Sequence, residues 1–317
     1  MVDADPQCNL TEIALAPKIA ELDAKALHST TAKIDDLPGT SILDALNQRI
    51  KGDAAFIDLS KVKTYKIREQ LFLLRGSVDL SSIEDDLAEA HVQRSSSRTN
   101  LMRTYVAIGD FLSRLGAKET FDYILIDVGP SSGALTRAFF LVCDGFFLPA
   151  APDRFNVQAI GTLSRILDRW MAEHAQIRKQ YEDLGLPVRP GTPAFLGAIV
   201  QAFKLYAGKA KPGYKLWMAR LPKEISGSLK PVMRKHGPNI YLPTASKPIV
   251  VEIPDFNQLA PLMQEVGKAV FNISRNDTAL IAESGTPWSG NNWTQAAERM
   301  RAYRKLFATL TTIAEGL

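Results

Sequence analysis

The stretch Phe121–Gly133, FDYILIDVGPSSG, constrains this chain more than any other. Tyr123 to Val128 is a nearly unbroken apolar run that carries one acid, Asp127, near its end. Without polar alternation, such a run predicts a strand buried on both faces, as in a parallel sheet covered by helices. Gly129, Pro130 and Gly133 end it, and Leu135, Phe139 and Val142 set an apolar helical pattern directly behind. A carboxylate at the C-terminal end of a buried parallel strand faces the crevice in which α/β proteins bind ligands. Burying a carboxylate costs free energy unless something pairs with it, and a hydrated Mg²⁺ is one such partner. The plainer alternative is an Asp that caps the next helix or turns the loop.

The chain has 317 residues, enough for one large α/β domain or two small ones. It is 46% hydrophobic and 23% charged, an ordinary globular composition. No apolar run is long enough to cross a bilayer, and no secretory pattern opens the sequence. Cys8 and Cys143 lie far apart and make no metal-ligand spacing, so both are expected as free thiols in a reducing cytoplasm.

Read in order, the chain alternates strands and helices. Asn9–Ala26 and Ser41–Ile50 predict helices, Leu71–Leu74 a short buried strand, and Lys51–Lys66 irregular structure. Ser81 ahead of Glu84 reads as a capping-box start. Residues 86 to 115 should be helical, with a loop near Gln93–Asn100. Gly145–Ala150 and Phe195–Phe203 predict strands, and between them Asn156 should cap a long helix in which His174 faces solvent. Ile249–Ile253 predicts a late strand, Gln258–Val270 a helix, and a final helix spans Thr294–Glu315 behind a loop from residue 272. The expected architecture is a single α/β domain over residues 1–317. It should have a mostly parallel twisted sheet and helices on both faces.

Several of these pieces resemble one family. Residues 2–11, VDADPQCNLT, are similar to the D-x-D-P-Q-x-N-x-T stretch of the ParA/MinD family of P-loop ATPases. FDYILIDVGPS resembles that family's Walker B strand, and DGFFLPAAP from Asp144 resembles the strand after it. Asp255–Phe271 is similar to a late segment of plasmid-type ParA proteins. The resemblance implies an ATPase that uses ATP and Mg²⁺, dimerises on nucleotide and coats DNA in plasmid or chromosome partitioning. It implies a ParB-like partner and a cytoplasmic, nucleoid-associated location without a membrane anchor. It gives Asp5 the task of positioning the attacking water. Asp3 falls near Mg²⁺ and the γ-phosphate, and Asp127 holds the ion through water. Asn9, Thr11 and Gln201 become nucleotide-binding candidates; Gln201 stands where the family usually has Asn. The family's K-G-G-x-G-K-T phosphate loop has no match in the chain, and its place in the family is ahead of the DADPQ stretch. The resemblance therefore leads one to expect a start placed too late, or else a truncated copy that binds DNA or a partner without hydrolysis.

Between Lys204 and Lys235 stand nine Lys or Arg and one acid, Glu224. Lys209, Lys211, Lys215, Arg220, Lys223, Lys230 and Arg234 belong to this tract, with Tyr206, Tyr214 and Trp217 interleaved. A solvated helix face is the bland explanation. In ParA-like proteins this region binds DNA without sequence preference, which needs only cations against phosphates. A rival motif is Gly129–Gly133, which fits the G-x-S-x-G nucleophile elbow of α/β-hydrolases with Ser131 as nucleophile and His174 or His236 as base. Pro130 beside that serine restricts the sharp turn such an elbow needs.

Overall fold

The computed structural model describes residues 1–26, 37–52, 54–206, 208–244 and 247–317. The chain divides into two compact units. The first holds Met1–Val142, Ile177–Arg189 and Pro261–Ala269. The second holds Cys143–Gln176, Pro190–Ala260 and Val270–Leu317. Each is a layer of parallel strands flanked by helices, the α/β architecture that the apolar strand runs predict.

In the first unit, strand β1 (Val2–Ala4) is fully buried, and helix α1 (Asn9–Ala26) follows it. Helix α2 (Ile42–Ile50) starts at a complete capping box, in which Ser41 Oγ accepts from Asp44 N and the Asp44 carboxylate accepts from Ser41 N. Strands β2 (Tyr65–Arg68) and β3 (Leu71–Leu73) form an antiparallel pair. Helices α3 (Glu84–Val92) and α4 (Thr99–Glu119) come next, then strand β4 (Ile126–Val128) and helix α5 (Ala134–Val142). β1 and β4 pair in parallel with Val2 opposite Ile126, Asp3 opposite Asp127 and Ala4 opposite Val128. On its other side Val2 bridges in parallel to Leu74. The core between strands and helices is built from Ile42, Leu46, Leu74, Ile83, Phe111 and Phe139, all at or near zero exposure.

In the second unit, β5 (Gly145–Ala150), β6 (Ala194–Phe203) and β9 (Ile249–Pro254) form a parallel sheet in that order. Helix α6 runs from Arg154 to Asp183, its last turns belonging to the first unit. A small hairpin follows β6, made of β7 (Leu205–Tyr206) and β8 (Lys209–Ala210). Then come α7 (Pro212–Met218), α8 (Leu221–Glu224) and α9 (Lys230–His236), the last two joined through a π-turn at Ile225–Leu229. Helix α10 (Leu259–Val266) and the long α11 (Gly290–Glu315) complete the chain. Tyr303 of α11 donates from its hydroxyl to Asp255 O, which ties this helix to the end of β9.

Several local expectations are corrected. Tyr123 and Leu125 are 56% and 61% exposed, so the apolar run is not buried on both faces. Ile124 and Ile126 do pack on the core, but among the described residues no strand pairs with the second edge of β4. Ser81 caps nothing at Glu84; a 3-10 turn over Val78–Ile83 precedes α3, and Ser77 caps that turn. β2 begins inside the segment expected to be irregular, at Tyr65, because Tyr65 and Ile67 face a satellite cluster with Leu73. α6 begins two residues before Asn156, whose N–H and side-chain amide both donate to Asp153. His174 is buried, not solvent-facing, and leaves no room for a side chain at Gly191.

Candidate functional site

Parallel pairing of β1 with β4 carries both chains off the sheet at the same end, as parallel strands must. Asp3 and Asp127 are register partners, and Asp5 lies just beyond the end of β1. The loop after β4 comes close: a Cβ on Gly129 would stand 2.8 Å from Asp5 Oδ1. Only a glycine lets the loop backbone stand this close to the Asp5 carboxylate.

The aspartates have different surroundings. Asp3 has no exposure. Its Oδ2 accepts from Thr11 N at 2.8 Å and Thr11 Oγ1 at 2.6 Å, and its Oδ1 accepts from Asp5 N at 3.2 Å. Thr11 Oγ1 in turn accepts from Gly76 N at 2.7 Å. Asp3 and Thr11 thus form a buried hub that fastens the first turns of α1 and the loop after β3 to the end of β1. Three donors to one carboxylate compensate its burial. Asp5 is half-buried, and its Oδ1 accepts from Gln7 N at 3.0 Å in an Asx turn. Asp127 reaches solvent from the strand end. Desolvation first, then repulsion from Asp3 and Asp5, raises its carboxyl above the usual carboxylate range. Cys8 sits against the same acids; burial, then the charges of Asp3, Asp5 and Glu12, pushes its thiol up to about 12, so it stays protonated and unreactive.

A cluster of like charges with one carboxylate still open to solvent is chemically suited to a hydrated divalent cation, which would relieve the repulsion that raises Asp127. Asp127 and Asp5 fit that task by position. Asp3 does not present a free oxygen to solvent. Among the described residues no group of three or more His, Cys, Asp or Glu is arranged as a direct metal cage. The fit is therefore to an ion held largely through water. The sequence supplies no G-x-x-x-x-G-K-[ST] loop, so the residues present fit a cation and do not by themselves cradle phosphates.

Of the other nucleotide-binding candidates, Asn9 is exposed at the first position of α1, and Thr11 is spent on Asp3. Gln201 is exposed on β6 in the second unit. Ser131 is exposed, and its Oγ lies 2.8 Å from Thr136 Oγ1 rather than from a histidine. His236 Nε2 lies 2.6 Å from Asp168 Oδ1, a carboxylate also held by Lys235 Nζ at 2.8 Å. The sequence assigns Glu84 to a capping box on its own helix and does not show its contact with α5. Its carboxylate accepts from the N–H groups of Ala134 and Leu135, so it caps α5 and anchors the far end of the Asp127 loop. The signal was a glycine, Gly133, whose hydrogen stands where any side chain would strike that carboxylate.

In the second unit the basic tract is presented to solvent. Lys209, Lys211, Lys215, Arg220, Lys223 and Arg234 are exposed, while Lys230 is half-buried over the Tyr241 ring. Leu221, Ile225, Leu229 and Met233 are buried on the inner side of the same segment. From Leu221 to His236 the charges therefore lie on the outer side of an anchored segment, while Lys209, Lys211 and Lys215 stand on the hairpin and on α7, which buries no residue.

The AAA domain family model matches residues 1–179. The structure of protein DIP2308 from Corynebacterium diphtheriae is similar at 23% identity, covering 84% of this chain and 85% of that one, with a TM-score of 0.59. The ATP complex of an McdA variant from Cyanothece is similar at 15% identity, covering 97% and 84%, with a TM-score of 0.52. At these identities the two likenesses bear on the fold. No curated protein matches the sequence.

Proposed function

From the premise that this chain belongs to the AAA domain family and has the ParA/MinD-type P-loop ATPase fold, we propose a nucleotide-linked protein of DNA partitioning that holds non-specific DNA. The observation that carries the nucleotide half is the parallel register of Asp3 against Asp127, which sets Asp5 and Asp127 at one end of paired strands. Mg²⁺ at this end would supply charge neutralisation for a phosphoryl group. Asp127 would hold the ion's water shell. Asp5, fixed by its turn and pressed against Gly129, would orient a water molecule. Asp3 would act from behind by holding Thr11 and the backbone N–H of Asp5. A homodimer on DNA and a ParB-like partner complete the proposal, on the family's pattern. No helix among the described residues is long and apolar enough to cross a membrane.

Support for the DNA half comes from the exposed cations of the 204–235 tract, which answer the phosphate chemistry of a duplex without any base-reading element. The test is an anisotropy titration on two unrelated duplexes over a series of salt concentrations. Binding should ignore sequence and weaken steeply with salt. Replacing Lys215, Arg220 and Lys223 with Ala should flatten the salt slope by roughly one unit per lost contact. A triple variant that binds as tightly as the parent moves the DNA face elsewhere.

A second reading, a DNA-binding protein of the same fold without hydrolysis, is favoured by one observation. The aspartate expected nearest the metal and γ-phosphate, Asp3, is fully buried and committed to Thr11.

A further inference from the structure

Phosphate contacts leave part of the basic tract unexplained, namely its exposed apolar side chains. Tyr206 is 75% exposed at the end of β7, and Leu205 beside it is 46% exposed. Tyr206 pairs across the hairpin with Lys209, and Leu205 pairs with Ala210. Cross-strand partners share a face, so the Tyr206 ring and the Lys209 ammonium stand side by side. Lys204 and Lys211 are the next pair along, joined by Lys211 N donating to Lys204 O at 3.3 Å, and alternation returns them to the Tyr206 face. Gly208, at a φ of +74°, turns the tip, and nothing lies within 4 Å of where its Cβ would be. The hairpin thus presents one aromatic ring among three lysines. A second planar platform follows in α7, where the Arg220 guanidinium lies 4.8 Å from the centre of the Trp217 ring.

A ring flanked by ammonium groups complements a nucleotide whose base face is free and whose phosphate lies alongside. A duplex hides its base faces by stacking; a single strand offers them. We propose that the β7–β8 hairpin binds single-stranded nucleic acid, with Tyr206 as the platform on which a base stacks and Lys204, Lys209 and Lys211 holding the adjoining phosphates. This rests on the reading that the 204–235 tract binds nucleic acid, and it adds to that reading a preference for unpaired strands. The large exposed apolar side chains of the hairpin are Tyr206 and Leu205, with Leu216 beyond it on α7, a set that suits base stacking better than insertion into a lipid surface.

The experiment titrates the full chain against labelled oligo-dT, a random-sequence duplex of equal length, and vesicles of phosphatidylcholine with phosphatidylserine. Parent, Tyr206→Ala and Tyr206→Phe are compared, with far-UV circular dichroism confirming that each is folded. Tyr206→Ala is expected to lose roughly tenfold in affinity for oligo-dT, the loss of one stacked base, and to leave duplex affinity and its salt slope unchanged. Tyr206→Phe should retain parental affinity, because the ring and not the hydroxyl does the stacking. Equal oligo-dT affinity for parent and Tyr206→Ala overturns the proposal while leaving the phosphate reading standing, provided the duplex still binds. Equal loss on duplex and single strand also overturns it. Binding to vesicles but to neither nucleic acid overturns both, and assigns the hairpin to a membrane surface. Binding to none of the three overturns both as well.

Discussion

The acidic strand ends of the first unit and the basic tract of the second carry the two halves of the proposed function in opposite ways. Asp3 has no exposure and three hydrogen-bond donors, so its charge is part of the fold. The lysines and arginines of the tract are exposed, apart from the half-buried Lys230, and the packing of residues 221–236 is done by Leu221, Ile225, Leu229 and Met233 instead. An acid built into a core cannot be altered without cost to the structure. A cation on a surface can be removed with little effect on folding and a large effect on binding. Function and stability are entangled at the first site and separable at the second.

The largest effect should come from breaking the buried hub. Asp3→Ala leaves Thr11 N, Thr11 Oγ1 and Asp5 N without their charged acceptor and should cost about 3 kcal/mol of folding stability, read as a lower denaturant midpoint. A midpoint equal to the parent's would show that Asp3 is not a structural centre. Next in size is Gly133→Ala, which would drive Glu84 off the α5 N-terminus and cost about 1–2 kcal/mol. Adding Glu84→Ala to that variant should cost little more, since both remove the same cap; fully additive losses would contradict this.

Asp127 sharpens the comparison, because here the fold carries the cost of the charge that the proposed function assigns to the ion. Its carboxyl is raised in the folded state, so the native protein binds a proton more readily than the unfolded chain does. Stability contributed by the protonated form is fully present below the unfolded carboxylate range and is lost as pH rises through the folded value. Asp127→Asn should therefore melt slightly higher than the parent near neutral pH and at the same temperature in acid below both values. The effect is small because the side chain reaches water. A lower melting temperature at neutral pH would contradict the direction. The smallest change in stability belongs to the Lys215, Arg220 and Lys223 triple variant, within about 0.5 kcal/mol, although it should bind DNA most weakly. A large loss of stability there would show that the tract is part of the core.

The predictions that rest on the strand ends draw on residues that were legible before the structure. Asp127 stood out because an apolar run marks a strand end, which is short-range information, and Asp3 and Asp5 because the DADPQ stretch resembles that of the ParA/MinD family. What Asp3 does was not legible. Its partner Thr11 comes from α1, and Gly76, which donates to Thr11 Oγ1, comes from the loop after β3; only tertiary structure brings them together. The same holds for Glu84 and α5, separated by 50 residues of sequence. The exposure of Tyr123 and Leu125 was misread for a related reason, because an apolar run reports what a strand can bury and not which neighbours cover it. β2 was missed because its strand pairing depends on a turn at Gln70 with a φ of +59°, which composition does not announce.

The central claim is that Asp127 is the strand-end acid that meets the cation, while Asp3 serves the fold. Mn²⁺, a paramagnetic stand-in for Mg²⁺, tests it by electron paramagnetic resonance of the free ion in titrations of the full chain. The parent should deplete the free signal, Asp127→Asn should abolish the depletion, and Glu12→Gln, an acid on the nearby turn of α1, should leave it intact. Depletion that persists in Asp127→Asn, or a parent that depletes no Mn²⁺, would contradict the account.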